Sequence, residues 1–244
     1  MRITIILSII CITSIASADT IHVPGDYITI QQAINASVNG DVIMVAPGRY
    51  IENIDYNGKS ITVKSETGPG RTIIDGNRSG EVVRMDGYQE ILDGFTITNG
   101  FTQYPNYGAG GISIGYGKQE IINCIVVDNN SDYRGGAILC DGGEVYLNNC
   151  IIYLNGSSED TIYCYYMAYM IFVNCTIDDN IHVHVDSSAH VENSILWNCN
   201  VLVTDFSSPS GFSAKYSNID KDKIQVDPGC YLNWGPGNIN EDPL

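Results

Sequence analysis

The chain is 244 residues long and carries 12 Lys+Arg against 28 Asp+Glu, a formal net charge of −16 at pH 7. Phosphate binding requires clustered positive charge, so this balance excludes a nucleic acid and an anionic membrane surface as expected partners. Cysteines are spread along the chain with no Cys-x-x-Cys pair, so a structural zinc site has no sequence support either.

In chain order, Met1 and Arg2 open a basic start, an apolar run follows from Ile3 to Ile15, and Ala16-Ser17-Ala18 supplies a small-x-small site. This pattern predicts a signal peptide over residues 1–18, cleaved before Asp19, and a protein that is secreted or held at the cell surface. The run is shorter than the ~20 residues of a spanning helix, and no membrane span is expected later in the chain. Residues 19–244 are read as a single domain. Thr29 introduces a short amphipathic helix, Ile30 to Ala36, whose Ile30, Ala33 and Ile34 share one face. Gly40-Asp41 then turns into a strand from Val42 to Val45.

From there the sequence repeats. The block Gln89-Glu90-Ile91-Leu92-Asp93-Gly94 returns as Gln119-Glu120-Ile121-Ile122-Asn123-Cys124. It returns again ending at Cys150, Cys175 and Ser194, with spacings of 30, 26, 25 and 19 residues. Each spacing is about one solenoid coil, and no helical stretch separates the strands as a doubly wound sheet would require. A second strand column reads Ile112-Ser113-Ile114, Ile138-Leu139-Cys140, Ile162-Tyr163-Cys164 and Ile181-His182-Val183, with the outer residues of each triplet facing inward. Stacking predicts three inward ladders. Asn123, Asn149, Asn174 and Asn193 form one, Cys124, Cys150, Cys175 and Ser194 a second, and Val126, Ile152, Ile177 and Leu196 a third. Roughly nine coils are expected, capped by the N-terminal helix.

The runs TIQQAINASVNGDVIMVAPGRYIENI, GKSITVKSETGPGRTIIDGN and GFTITNG, with the later NCIVVDNN, NCIIYLNG, NCTIDDN and NSILWN, resemble bacterial right-handed parallel β-helix repeat proteins of the pectin-lyase-like superfamily. The resemblance covers nearly all of residues 19–244 and implies an all-β fold, a right-handed parallel β-helix with a short N-terminal capping helix. In that family the closing Asp-Pro-Leu leads into Phe and a further strand, so a C-terminal end missing after Leu244 is expected.

The superfamily holds lyases, hydrolases, esterases and inert stalks, so chemistry must be argued from residues. The resemblance implies that a lyase would need Ca²⁺ on carboxylates, with Asp128, Asp178, Asp179 and Asp186 available, and a cationic base, with Arg134 or Lys118 at hand. No other cofactor is expected. A hydrolase would use paired carboxylates, and Asp178-Asp179 followed by His182 and His184 offers that inventory, without the family's Gly-His-Gly and Arg-x-Lys segments. A methylesterase would need a Gln/Asp/Asp/Arg set across adjacent coils, for which no motif is found.

On the strand pattern, His182 and His184 project from one outer face, and no third ligand at metal spacing accompanies them. Tyr163 and Tyr165 fall on the same face one coil earlier, while Tyr153 and Trp197 point outward from the other column. Such rings suit stacking on sugars. Among the cysteines the stacked thiols are read as free and buried, and Cys199–Cys230 as the preferred disulfide. The leading expectation is thus a non-catalytic module that binds an extracellular polysaccharide or another partner through Tyr163, Tyr165, His182, His184, Tyr153 and Trp197. The alternative is a polysaccharide lyase or glycoside hydrolase using Asp178, Asp179, Arg134 and His182.

Overall fold

In a computed structural model that describes residues 18–205 and 209–241, every paired strand is parallel to its neighbour and belongs to a different turn of the chain. Residues 1–17, on which the expected leader falls, and the closing Asp242-Pro243-Leu244 lie outside the described residues. One central coil shows the path. Lys118–Ile122 lies in a first sheet of ten strands, Ile125–Val127 in a second of eight, Asn130–Ser131 in a short third-wall sheet of three, and Ile138–Asp141 in another sheet of eight. The last of these is called the outer sheet below. Glu144–Asn148 then returns to the first sheet, one layer on, with Ile121 opposite Leu147.

Alternation explains the core. Leu92, Ile121, Leu147, Phe172 and Val191 point inward from the first sheet, and Ile112, Ile138, Ile162, Ile181 and Val201 from the outer sheet, all at most 1% exposed. The aliphatic column of the second sheet, Val126, Ile152, Ile177 and Leu196, is buried with them. At the open end of the stack the helix Ile30–Ala36 lays Ile30, Ala33 and Ile34 over the first coils. Its first turn is held by Thr29, which accepts from Gln32 N, and by Glu52, whose carboxylate accepts from the amides of Ile30 and Gln31 at 3.0 Å each. Its last carbonyls, at Ile34 and Asn35, accept from Lys59 Nζ.

The turns depart from the sequence expectation in one respect. Asn123, Asn149, Asn174 and Asn193 do not face inward. They occupy the left-handed region, with φ of 53°, 58°, 55° and 49°, and their amides stack on the outside of the bend. Asn149 Nδ2, for instance, donates to Asn123 Oδ1 at 2.7 Å. A positive φ reverses the side-chain direction relative to a strand residue, which is why strict alternation misplaces them. The buried amide ladder lies at the next bend instead: Asn129 Nδ2 donates to Ile97 O and to Asn155 Oδ1, and Asn155 Nδ2 donates to Asp179 Oδ2 at 2.7 Å. Close backbone approach, rather than bending, sets one of the glycines. A Cβ on Gly136 would sit 1.9 Å from the carbonyl oxygen of Gly156 in the next coil.

All seven described cysteines are free. Cys124, Cys150 and Cys175 are buried, and each thiol donates to a nearby carbonyl, with Ser194 Oγ continuing the pattern onto Glu192 O. Cys199 and Cys230 are unbridged, contrary to the expected disulfide. Cys199 is turned into the core between the second and outer sheets, whereas Cys230 precedes the first-sheet strand Tyr231–Trp234. The interior also holds a polar pair, Glu90 and Gln119, both fully buried. Gln119 Nε2 donates to Gly87 O, and the Oε1 atoms of both side chains lack a hydrogen-bond partner.

Candidate functional site

The outward positions of the outer sheet stack in two columns. Ser113, Leu139, Tyr163, His182 and Leu202 make the first, and Asp141, Tyr165, His184 and Thr204 the second. Parallel register at ~4.8 Å per coil therefore places Tyr163 beside His182, and His184 beside Thr204. Two loops overhang this face. Tyr133 and Arg134 come from the loop before Ile138–Asp141, and Glu159 and Asp160 from the corresponding loop one coil later.

Arg134 is the centre of the cluster. Its guanidinium carbon lies 4.5 Å from the ring centroid of Tyr133, 4.6 Å from that of Tyr163 and 5.4 Å from that of Tyr165, while its Nε donates to Glu159 at 2.6 Å. Burial would lower the arginine's pKa, but the Glu159 carboxylate and the neighbouring tyrosines raise it overall, so it stays charged. Under this lid Tyr163 is only 1% exposed, and burial pushes its phenol well above the ordinary range. The ring of Tyr163 meets that of His182 edge-on at 4.8 Å, and Tyr165 stacks on His184 at 5.9 Å.

Both histidines are tied to oxygen, His182 through both of its ring nitrogens. His182 Nδ1 is 2.8 Å from Asp160 Oδ2, and its Nε2 is 2.8 Å from Thr204 Oγ1. His184 Nδ1 lies 2.7 Å from the same hydroxyl, and burial lowers the pKa of His184. Beside the cluster a cleft of about 240 Å³ is lined by Tyr107, Gly108, Tyr133, Arg134, Leu139, Asp141 and Tyr165. Tyr107 and Gly108 also line a larger groove of about 860 Å³, which runs on to Glu81, Arg84 and Phe101. Of the cluster, Tyr133, Arg134 and Tyr165 line the smaller cleft, whereas His182, His184, Asp160 and Thr204 lie on the sheet face outside its lining. In the larger groove Arg84 is paired with Glu81 and Asp86, so neither depression presents an unopposed positive field at Arg84 or Arg134.

Of the residues singled out by sequence, Tyr163, Tyr165, His182, His184 and Arg134 come together here. Tyr153, on the second sheet, and Trp197, just past its strand Ile195–Leu196, sit apart, half-buried and exposed respectively, and Ile151 on that sheet is itself 43% exposed. Tyr163 is not a free stacking platform, because Arg134 covers it. Asp178, at the exposed end of the second-sheet strand Thr176–Asp178, does not join the cluster. Asp179 is no solvated turn residue either. It is buried in the amide ladder, where desolvation raises its pKa to about 6. The carboxylates that actually face Arg134 and His182 are Glu159 and Asp160, which strand periodicity could not reach because they lie in a loop. Thr204 was legible: Val201-Leu202-Val203-Thr204 continues the column of Ile181–His184. Among the described residues no group of three or more His, Cys, Asp or Glu side chains is placed to hold a metal.

No family model and no curated protein sequence matches the chain. Solved structures do. A pectin methylesterase from carrot superposes with a TM-score of 0.66 over 93% of this chain and 84% of the other, at 14% identity. By fold, the protein is a pectin-lyase-like right-handed parallel β-helix. The pectin methylesterase of Yersinia enterocolitica is similar to this β-helix with a TM-score of 0.59, 14% identity and coverage of 88% and 90%. That of Aspergillus niger gives 0.57, 16%, 92% and 86%. At such identities the likeness of the β-helix to these enzymes carries the architecture and none of their residues.

Proposed function

We propose that the protein is a carbohydrate-active enzyme that modifies a polysaccharide laid across the outer face of the outer sheet. One observation carries this reading: Arg134 stacks over Tyr163 and Tyr165 at the edge of an open cleft, and on the adjoining coils Asp160, His182, Thr204 and His184 form a continuous chain of polar contacts. A histidine hydrogen-bonded on both ring nitrogens, a fixed guanidinium and a reachable carboxylate are the parts of an acid–base site. The fold's likeness to pectin methylesterases supports an enzyme over the non-catalytic module that the sequence alone favoured. It supports esterase chemistry over a lyase or glycosidase built on Asp178 and Asp179. Exposed Tyr104 and Tyr107, packed edge-to-face at 6.0 Å, offer sugar-stacking surface, and Tyr107 lines both depressions. The place of action is outside the cell, following the leader expected over residues 1–18.

The test is a polysaccharide panel assayed with Ca²⁺ and with chelator. Unsaturated products, reducing ends and released acid or methanol are read for the purified protein and for His182→Ala. Product that depends on His182 is the expected result. A folded protein that releases nothing but binds a glycan, with binding lost in Tyr107→Ala, returns the non-catalytic module as the better reading.

A further inference from the structure

We propose that Thr204, His182 and Asp160 form a nucleophile–base–orienting relay that removes small O-acyl groups from the hydroxyls of a glycan. The proposal rests on the glycan lying across the outer sheet and deepens that reading by naming the reaction. Three consecutive coils contribute: Asp160 from the loop before Ile162–Tyr165, His182 from Ile181–His184 and Thr204 from Val201–Thr204.

The proton pattern follows from the donor inventory. The Asp160 carboxylate can only accept, so His182 Nδ1–H donates to it. With a neutral ring, His182 Nε2 is then an acceptor, and Thr204 Oγ1–H donates to it at 2.8 Å. The remaining contact of that hydroxyl, at 2.7 Å, is satisfied when His184 donates through Nδ1–H, as it can also toward Thr204 O at 3.3 Å, and burial lowers the pKa of His184. Thr204 Oγ1 is therefore a hydroxyl whose proton points at a base, while a second donor supports the oxygen. This is the geometry by which such relays are recognised, whatever the chain order. The side chains of His182 and Asp160 are 13% and 21% exposed, shielded from bulk water yet reachable from the face. Thr204 is half-buried.

In the reaction Thr204 Oγ1 attacks the acyl carbon and its proton passes to His182 Nε2. The C–O bond to the sugar breaks as His182 returns that proton to the departing sugar oxygen, leaving acyl-Thr204. Water then attacks the acyl carbon and gives a proton to His182. Cleavage of the acyl–Thr204 bond restores the hydroxyl with that proton and releases the carboxylic acid. The sum is ester plus water to alcohol plus acid. The substrate class follows from charge. Arg134 and Arg84 are each already paired with carboxylates, and the protein as a whole carries −16, so an acylated neutral glycan fits better than a polyanion.

The experiment uses p-nitrophenyl acetate and acetylated xylan as probes, reading p-nitrophenol and acetate, with xylan retention in affinity electrophoresis as a separate measure of binding. Thr204→Ala should cut both releases by about 100-fold or more while retaining binding, and Thr204→Ser should restore them to within about 10-fold. Asp160→Asn, at a positioning residue, should lower kcat with little change in KM and move the pH profile, because the imidazole loses its fixed tautomer. Diethyl p-nitrophenyl phosphate should add its phosphoryl mass to the peptide holding Thr204, a readout independent of any folding defect in the variants. Retained hydrolysis in Thr204→Ala, or an adduct at another residue, overturns the relay. Binding without acetate release by the unaltered protein overturns the relay and leaves the glycan-binding face standing. Absence of both overturns the face as well. Thr204-dependent release of methanol from methylated polygalacturonate, without acetate release, overturns the assigned substrate class.

Discussion

Arg134 lies over the ring of Tyr163, its guanidinium carbon 4.6 Å from the centroid, and Glu159 holds it there through a 2.6 Å hydrogen bond from Nε. The contact joins two successive loops to a strand and closes the outer sheet over its most buried aromatic. Arginine suits it because a planar guanidinium can stack and donate sideways at once, which an ammonium cannot. Arg134→Ala should cost about 1–2 kcal/mol, and Arg134→Lys should recover less than half of that. Urea unfolding gives the stability, and nitration by tetranitromethane gives the uncovering. Tyr163 should be unreactive in the unaltered protein and nitrated in Arg134→Ala. Equal nitration of Tyr163 in both would show that the arginine does not cover the ring.

Two buried carboxyls set the pH dependence of stability. Burial raises Glu90 to about 7 and Asp179 to about 6, against ordinary values near 4.5 and 3.8. A raised carboxyl binds its proton more tightly folded than unfolded. Its favourable contribution is complete below the unfolded value and is lost as pH rises through the folded one. Stability should therefore fall between about pH 4 and pH 7. Glu90→Gln should flatten about half of that slope, raise the melting temperature above pH 7 and add up to roughly 3 kcal/mol of stability there. Melting curves from pH 4 to 8 check this, and an unchanged slope in Glu90→Gln would assign the dependence to other groups.

The solenoid was legible because its signal is long and redundant. Five occurrences of one block, each with β-branched alternation, leave no other architecture, and the capping helix announces itself through Thr29 and the Ile30, Ala33, Ile34 face. Side-chain direction was legible only where the backbone is extended. Asn123 and its counterparts sit at positive φ, so period-two counting turned them inward when the bend turns them out. The site was half legible for a related reason. His182, His184, Tyr163 and Tyr165 share a strand column, and counting finds them. Asp160 and Glu159 meet Arg134 and His182 through loop geometry, which no periodicity encodes. Asp178 and Asp179 attracted notice as neighbours in sequence, yet one ends a strand in solvent and the other turns into the amide ladder.

The thiols give a test of the covalent structure. Six of the seven described cysteines are buried, and desolvation pushes Cys124, Cys140 and Cys199 up to about 12, which leaves almost no thiolate at neutral pH. Only Cys230 is half-buried. Titration of the native protein with an aromatic disulfide should thus show one fast-reacting thiol, mapped to Cys230. In denaturant without reductant, every cysteine from Cys124 onward should react. A shortfall of two thiols, recovered by reduction, would restore the Cys199–Cys230 bridge.

The two asparagine ladders should respond in opposite ways to substitution. Asn129 is 1% exposed, and its Oδ1 accepts from Gly100 N at 2.9 Å while Nδ2 donates to Ile97 O at 3.0 Å, so its amide links adjacent coils from within. Asn129→Ala leaves those backbone groups buried without partners and should cost about 2–4 kcal/mol. Asn149 is exposed, and its main conformational demand is a φ of 58°. Asn149→Gly meets that demand and should change stability by no more than about 0.5 kcal/mol. Asn149→Val, β-branched at a positive φ, should cost about 1–2 kcal/mol. Urea unfolding of the three variants separates the cases. A large loss in Asn149→Gly would mean that the outer amide stack, and not the turn conformation, is what that position supplies. The same loss in Asn129→Ala and Asn149→Gly would erase the distinction between buried and exposed ladders.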